Sequence, residues 1–117
     1  MTSTEFSKLT GTTNRQLQWW DERGYIVPVK RRWNNGPLKQ RHYIQDQVRL
    51  MLVVSRLRAC GVSLQKIVPQ IGKLKKLTAE SGFVVMLNSR KFVKTANKAE
   101  VLQIAAKHRG GVVVAEV

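Results

Sequence analysis

Acidic residues are scarce in this chain. Seven Asp and Glu stand against 21 Lys and Arg in 117 residues, a formal net charge of +14. Such a deficit of negative charge is the usual electrostatic footprint of a nucleic-acid partner; a merely solubilising surface is the plainer alternative. Cysteine is nearly absent. Cys60 alone excludes an internal disulfide framework and any Cys-rich zinc site, and its apolar neighbours at a helix end point to core packing. Long apolar runs are missing too. Leu50–Ser55 is the longest near-apolar stretch, far short of the ~20 residues that span a membrane. The opening MTSTEFSKLTG has no basic segment followed by an apolar one, so no secretory signal is expected. His42 and His108 stand alone without metal-ligand spacing, and Gly110-Gly111 reads as a turn rather than a phosphate loop. No carboxylate pair or nucleophile–base set occurs. The expectation is therefore no enzyme, no cofactor and no metal.

What is present suffices for a folded core, since 43% of the residues are apolar. The charge is uneven. Residues 1–77 hold 15 Lys and Arg against 4 Asp and Glu, and residues 78–117 hold 6 against 3. Lys30 to Arg41 carries five basic residues and no acid, so the binding surface is expected in the first two thirds. The small polar stretch Thr78-Ala79-Glu80-Ser81-Gly82 is the best linker candidate.

Local chemistry divides the chain further. Thr2 and Glu5 have capping-box spacing, which predicts a helix to about Thr10 with Phe6 and Leu9 inward and Gly11 as its stop. Thr13 caps a second helix, Asn14 to Arg23, that turns Leu17 and Trp20 inward and ends at Gly24. Two short helices about a glycine turn make a helix-turn-helix. Two extended basic runs flank Asn34-Asn35-Gly36-Pro37, a hairpin turn signal. A helix over Gln45–Cys60 follows, then one capped by Ser63 that carries Leu64, Ile67, Ile71 and Leu74 and is kinked at Pro69. Beyond residue 82 the pattern predicts a hairpin turning at Asn88-Ser89, a helix over Ala96–His108 and a β-branched strand, Val112–Val117.

These motifs, in this order, resemble the DNA-binding region of MerR-like transcriptional regulators over about residues 2–75. The residues that carry the likeness are Leu9-Thr10-Gly11, Arg15-Gln16-Leu17-Gln18-Trp19-Trp20-Asp21-Glu22, Gly24-Tyr25-Ile26-Val27-Pro28 and Gly61-Val62-Ser63-Leu64-Gln65-Lys66-Ile67. The chain departs from the family where Gln18 replaces the usual Arg and Trp19 and Trp20 replace Tyr. Its wing is longer and contains Pro37. The long dimerising coiled coil gives way to an unusual tail, and no Cys/His effector cluster exists. The resemblance implies a winged helix-turn-helix over residues 1–77; the residue pattern beyond it adds a linker at 78–82 and a small β-β-α-β C-terminal unit at 83–117, which makes the expected fold α+β. The resemblance also implies double-stranded DNA as partner, a homodimer, and a cytoplasmic, nucleoid-associated place in a bacterial or phage-like setting. A metal- or redox-sensing role does not fit.

The candidate DNA contacts are Thr13, Asn14, Arg15 and Gln18 at the start of the recognition helix. There Arg can pair with guanine, and Asn or Gln with adenine. Helix capping for Asn14 and a solvated face for Arg15 and Gln18 are the plainer readings. Of the adjacent tryptophans, Trp20 is expected in the core and Trp19 toward the phosphate backbone. Lys30, Arg31, Arg32, Lys39, Arg41 and Tyr43 are the hairpin candidates for the backbone or minor groove; a charge-protected edge strand is the alternative. Three functions compete: a promoter-binding regulator, a DNA-architectural excisionase or recombination directionality factor of a mobile element, and an RNA-binding protein. The last has little support, because Phe83 and Phe92 are the only aromatics in the tail. The C-terminal unit, too small to bury its own core well, is expected to dimerise by covering the apolar face of its sheet with a second copy; docking on its own winged helix, or binding a small effector, is the alternative.

Overall fold

In the computed structural model, residues 1–33, 39–88, 91–108 and 112–117 are described. For Lys30–Trp33, Lys39 and Gln40 the description is of the backbone alone. The Asn34–Pro37 turn, Ser89 and Gly110-Gly111 lie outside the described residues.

Helix α1, Ser3–Thr10, starts where the Thr2 hydroxyl accepts the Glu5 N–H at 3.3 Å. It stops at Gly11, whose φ of 69° is a left-handed value that glycine adopts without strain. Phe6 faces inward as expected, but Leu9 is 58% exposed. The inward partner of Phe6 is instead Thr10, one helical turn on, whose hydroxyl donates to the Phe6 carbonyl at 2.8 Å. Helix α2, Asn14–Glu22, opens with a full capping box between Thr13 and Gln16. It buries Leu17, Trp20 and Asp21.

Strands β1, Lys30–Trp33, and β2, Lys39–His42, pair antiparallel, with Arg31 opposite Arg41 and Trp33 opposite Lys39. The root of this hairpin is held by the chain start. Thr2 bridges His42, and the Tyr43 N–H donates to the Met1 carbonyl at 2.8 Å. Tyr43 itself passes beneath α1 and stacks on Phe6 with ring centroids 4.2 Å apart.

Helix α3, Gln45–Ala59, is the central element. It buries Val48, Leu50, Met51, Val53, Val54 and Leu57, more than one stripe, because other elements cover it on two sides. Cys60 ends it and is exposed rather than packed in the core, since the chain turns outward there into Gly61. Ser63 precedes α4, Leu64–Ile67, in extended conformation but forms no side-chain cap bond. At Pro69 the helix tightens into a 3-10 turn, Val68–Gln70, before α5, Ile71–Leu77. This is the expected interruption.

Thr78 is buried and its hydroxyl donates to the Leu74 carbonyl at 2.8 Å. Gly82 pairs through both backbone groups with Val117. Strands β3, Phe83–Asn88, β4, Lys91–Thr95, and β5, Val113–Glu116, form an antiparallel sheet ordered β4-β3-β5. Helix α6, Lys98–Lys107, connects β4 to β5. The register puts Val84, Met86, Phe92, Val113 and Ala115 on one face. All five join the same apolar cluster as Phe6, Leu17 and the buried side of α3. Lys73 of α5 lies over the Phe92 ring at 5.9 Å. Val85, on the opposite face, is buried with Val101 of α6 outside that cluster. The sheet therefore lies between the N-terminal helices and α6.

Candidate nucleic-acid interface

Capping chemistry fixes the start of α2. With Thr13 and Gln16 tied to each other's backbone, the first turn is rigid, and the inward pull of Leu17, Trp20 and Asp21 decides which side faces out. Thr13, Asn14, Arg15 and Gln18 are all exposed. The Gln18 amide donates to Glu22 at 2.8 Å along the helix, so it is partly engaged already. Trp20 is buried and Trp19 half-buried, which matches the expected split between the two rings. They meet edge to face at 4.9 Å, and the Arg23 guanidinium lies 5.1 Å from the centre of the Trp19 ring.

The hairpin is anchored to this helix by charge. Arg41 Nε donates to Asp21 Oδ2 at 2.7 Å, and the Asp21 side chain is only 6% exposed. Arg41 is thus a strut between β2 and α2 rather than a free cation. Asp21 escaped the sequence reading as a functional residue. Its signal was an acid on the buried stripe of α2, four residues after Leu17, where a carboxylate needs a cationic partner. Tyr43, expected on the hairpin surface, is instead in the core, because β2 ends at His42 and the next residue turns under Phe6. The backbone carries Lys30, Arg31, Arg32 and Lys39 into the hairpin.

A second feature was not read from the sequence. The end of α3 and the start of α4 close over α2 and leave a groove of about 420 Å³, with Arg15, Trp19 and Arg58 among its lining residues. Arg58 lines the same groove as Arg15 only through the tertiary fold. Among the described residues no group of three or more His, Cys, Asp and Glu could hold a metal ion. Among the same residues no helix is long and apolar enough to cross a membrane.

A short helix, a glycine turn, a second helix with a polar exposed first turn, and a two-stranded basic hairpin define a helix-turn-helix DNA-binding protein. The family model described as MerR HTH family regulatory protein matches residues 1–69, more than half of the chain, and the chain belongs to that family. Its class is that of DNA-binding transcription regulators, a regulatory family and not an enzymatic one. No curated protein matches the chain.

Proposed function

We propose that this protein binds a specific double-stranded DNA sequence as a homodimer, with α2 in the major groove and the β1–β2 hairpin as a wing on the backbone or minor groove. The observation that carries the reading is the exposed, rigidly capped first turn of α2, with Asn14 and Arg15 facing solvent beside a hairpin strutted by Arg41 and Asp21. Arg15 makes a two-point contact to guanine and Asn14 one to adenine; Gln18 reads a base only by giving up Glu22. Thr13 caps and steers the turn. Trp19 sets its indole N–H on a phosphate. Lys30, Arg31, Arg32 and Lys39 neutralise phosphates along the wing. Tyr43 has no part in the surface. Protection mapping of genomic DNA tests the reading: inverted repeats at promoters are the expected result. No preferred site at all would overturn it.

Residues 83–117 are our proposed dimerisation unit, joined through 78–82 to a DNA-binding domain at 1–77. The support is Leu102 of α6, a large apolar side chain that is 65% exposed. Leu102→Asp should shift the full chain toward monomer in sedimentation and equalise full-site and half-site affinities, since linked heads gain by effective concentration. An unchanged dimer would overturn the assignment.

One observation favours a second reading, the recombination directionality factor. Helix α5 ends at Leu77, so the long pairing helix of the resemblance is not formed. Tandem direct repeats at an attachment site, in the same mapping, would select it.

A further inference from the structure

We propose that the groove between α2, α3 and α4 binds a planar aromatic carboxylate, and that its occupation releases DNA. The consequence for DNA rests on the function proposed above; the binding site does not.

The groove has the size and lining of a small-molecule site. Its volume of about 420 Å³ falls in the range of ligand pockets, which are mostly apolar with a few placed polar groups. Trp20, Met51 and Val54 provide an apolar floor, and the half-buried Trp19 ring forms a wall. The hydroxyls at its edge are already engaged. Ser55 Oγ donates to the Thr10 carbonyl at 3.2 Å and lies 3.4 Å from Thr12 Oγ1. They therefore make no strong demand on a ligand.

What stays unanswered is charge. Arg15 and Arg58 both line the groove, and no acidic residue does. Among the described residues neither guanidinium has an ion-pair partner; Arg58 makes only a long 3.4 Å bond to the Val62 carbonyl. A guanidinium binds a carboxylate by two parallel charge-assisted hydrogen bonds, and the indole face and edge accept a flat ring. One anionic head with one apolar ring system satisfies both features. An inorganic anion would leave the floor uncovered, and a neutral arene would leave the guanidinium pair unused.

The competition follows from shared residues. Arg15 and Trp19 belong both to the groove and to the proposed DNA surface. A carboxylate held by Arg15 withdraws that guanidinium from guanine and puts negative charge where the duplex must approach.

The test uses the full chain and 2-naphthoate, with 2-naphthamide as the neutral control, followed by amide and indole resonances and by calorimetry. Saturable naphthoate binding is expected, with shifts at Trp19, Ser55 and Arg58, and at least tenfold weaker binding of the carboxamide. Arg58→Gln, an exposed change that leaves the fold intact, should weaken naphthoate at least tenfold. At constant ionic strength naphthoate should displace a bound duplex, and acetate should not. No saturable binding, shifts confined elsewhere, or equal carboxamide affinity would overturn the site. Displacement of naphthoate by inorganic phosphate with the same shifts would mark a cradle for the DNA backbone and overturn the ligand assignment. Binding without duplex release would overturn the antagonism. Failure of the DNA reading shows separately, as absent duplex binding by the free chain, and leaves the naphthoate titration interpretable.

Discussion

At the scale of single residues, Arg15 and Arg41 look alike in sequence and differ in what surrounds them. Arg15 is exposed at the first turn of α2, whereas Arg41 is bonded to a buried carboxylate. Arg15→Ala should cost specific DNA binding about 1–3 kcal/mol and relax preference at one base pair, with thermal stability unchanged. Arg41→Ala should lower folding stability by about 1–3 kcal/mol, because it deprives Asp21 of a charge-assisted partner in a desolvated place. Binding titrations and thermal unfolding on both variants check the contrast. An Arg15→Ala protein as destabilised as Arg41→Ala would contradict it.

At the scale of elements, the two glycines Gly11 and Gly72 have opposite roles. Neither has a neighbour within 4 Å of an added Cβ, so only backbone preference counts. Gly11 has φ of 69° at the α1 stop, and Gly11→Ala should destabilise by about 1–2 kcal/mol. Gly72 lies within α5, where alanine is the better helix former, and Gly72→Ala should stabilise by about 0.5–1 kcal/mol. Chemical denaturation of the two variants gives both signs directly. Lys30 to Arg41 holds five basic residues and no acid. If each protomer neutralises four to six phosphates, log affinity should fall with log salt at a slope of about −3.5 to −5.5. Affinity titrations across salt concentrations read this slope, and a flat response would be incompatible with a backbone-gripping wing.

At the scale of the whole molecule, the face of the C-terminal sheet that carries Val84, Phe92 and Ala115 shares an apolar cluster with the helix-turn-helix. Two backbone-directed arginine bonds reinforce the contact: Arg49 reaches the Ala79 carbonyl and Arg56 the Val114 carbonyl. Phe92→Ala should therefore destabilise the entire chain by about 3–5 kcal/mol in one cooperative transition. The three tryptophans all lie before residue 34, so their fluorescence reports on the N-terminal region alone. A drop in the tryptophan-detected midpoint is the expected result. A midpoint unmoved by Phe92→Ala would mean that the sheet melts by itself.

Much of the DNA-binding half was legible because its signals are local. Thr2 with Glu5, Thr13 with Gln16, and the stops at Gly11 and Gly24 act within one helical turn, where capping and backbone preference dominate. The Pro69 interruption is equally local, since a missing N–H breaks a helix whatever surrounds it. Other features depended on residues far apart in the chain. Leu9 lost its inward place because Thr10 shares the inward side of α1 with Phe6, beneath which Tyr43 stacks. Helix α3 gave a blurred period because it is buried on two sides, which no single stripe encodes. Asp21 meets Arg41, and Arg15 shares a groove with Arg58, only once the helices have crossed. Helix starts and stops follow from the sequence, because capping and backbone preference act between near neighbours. Which charges are bonded inside the fold, as Arg41 is to Asp21, and which face solvent, as Arg15 does, is set by tertiary structure, because pairing and desolvation arise from residues that only folding brings together.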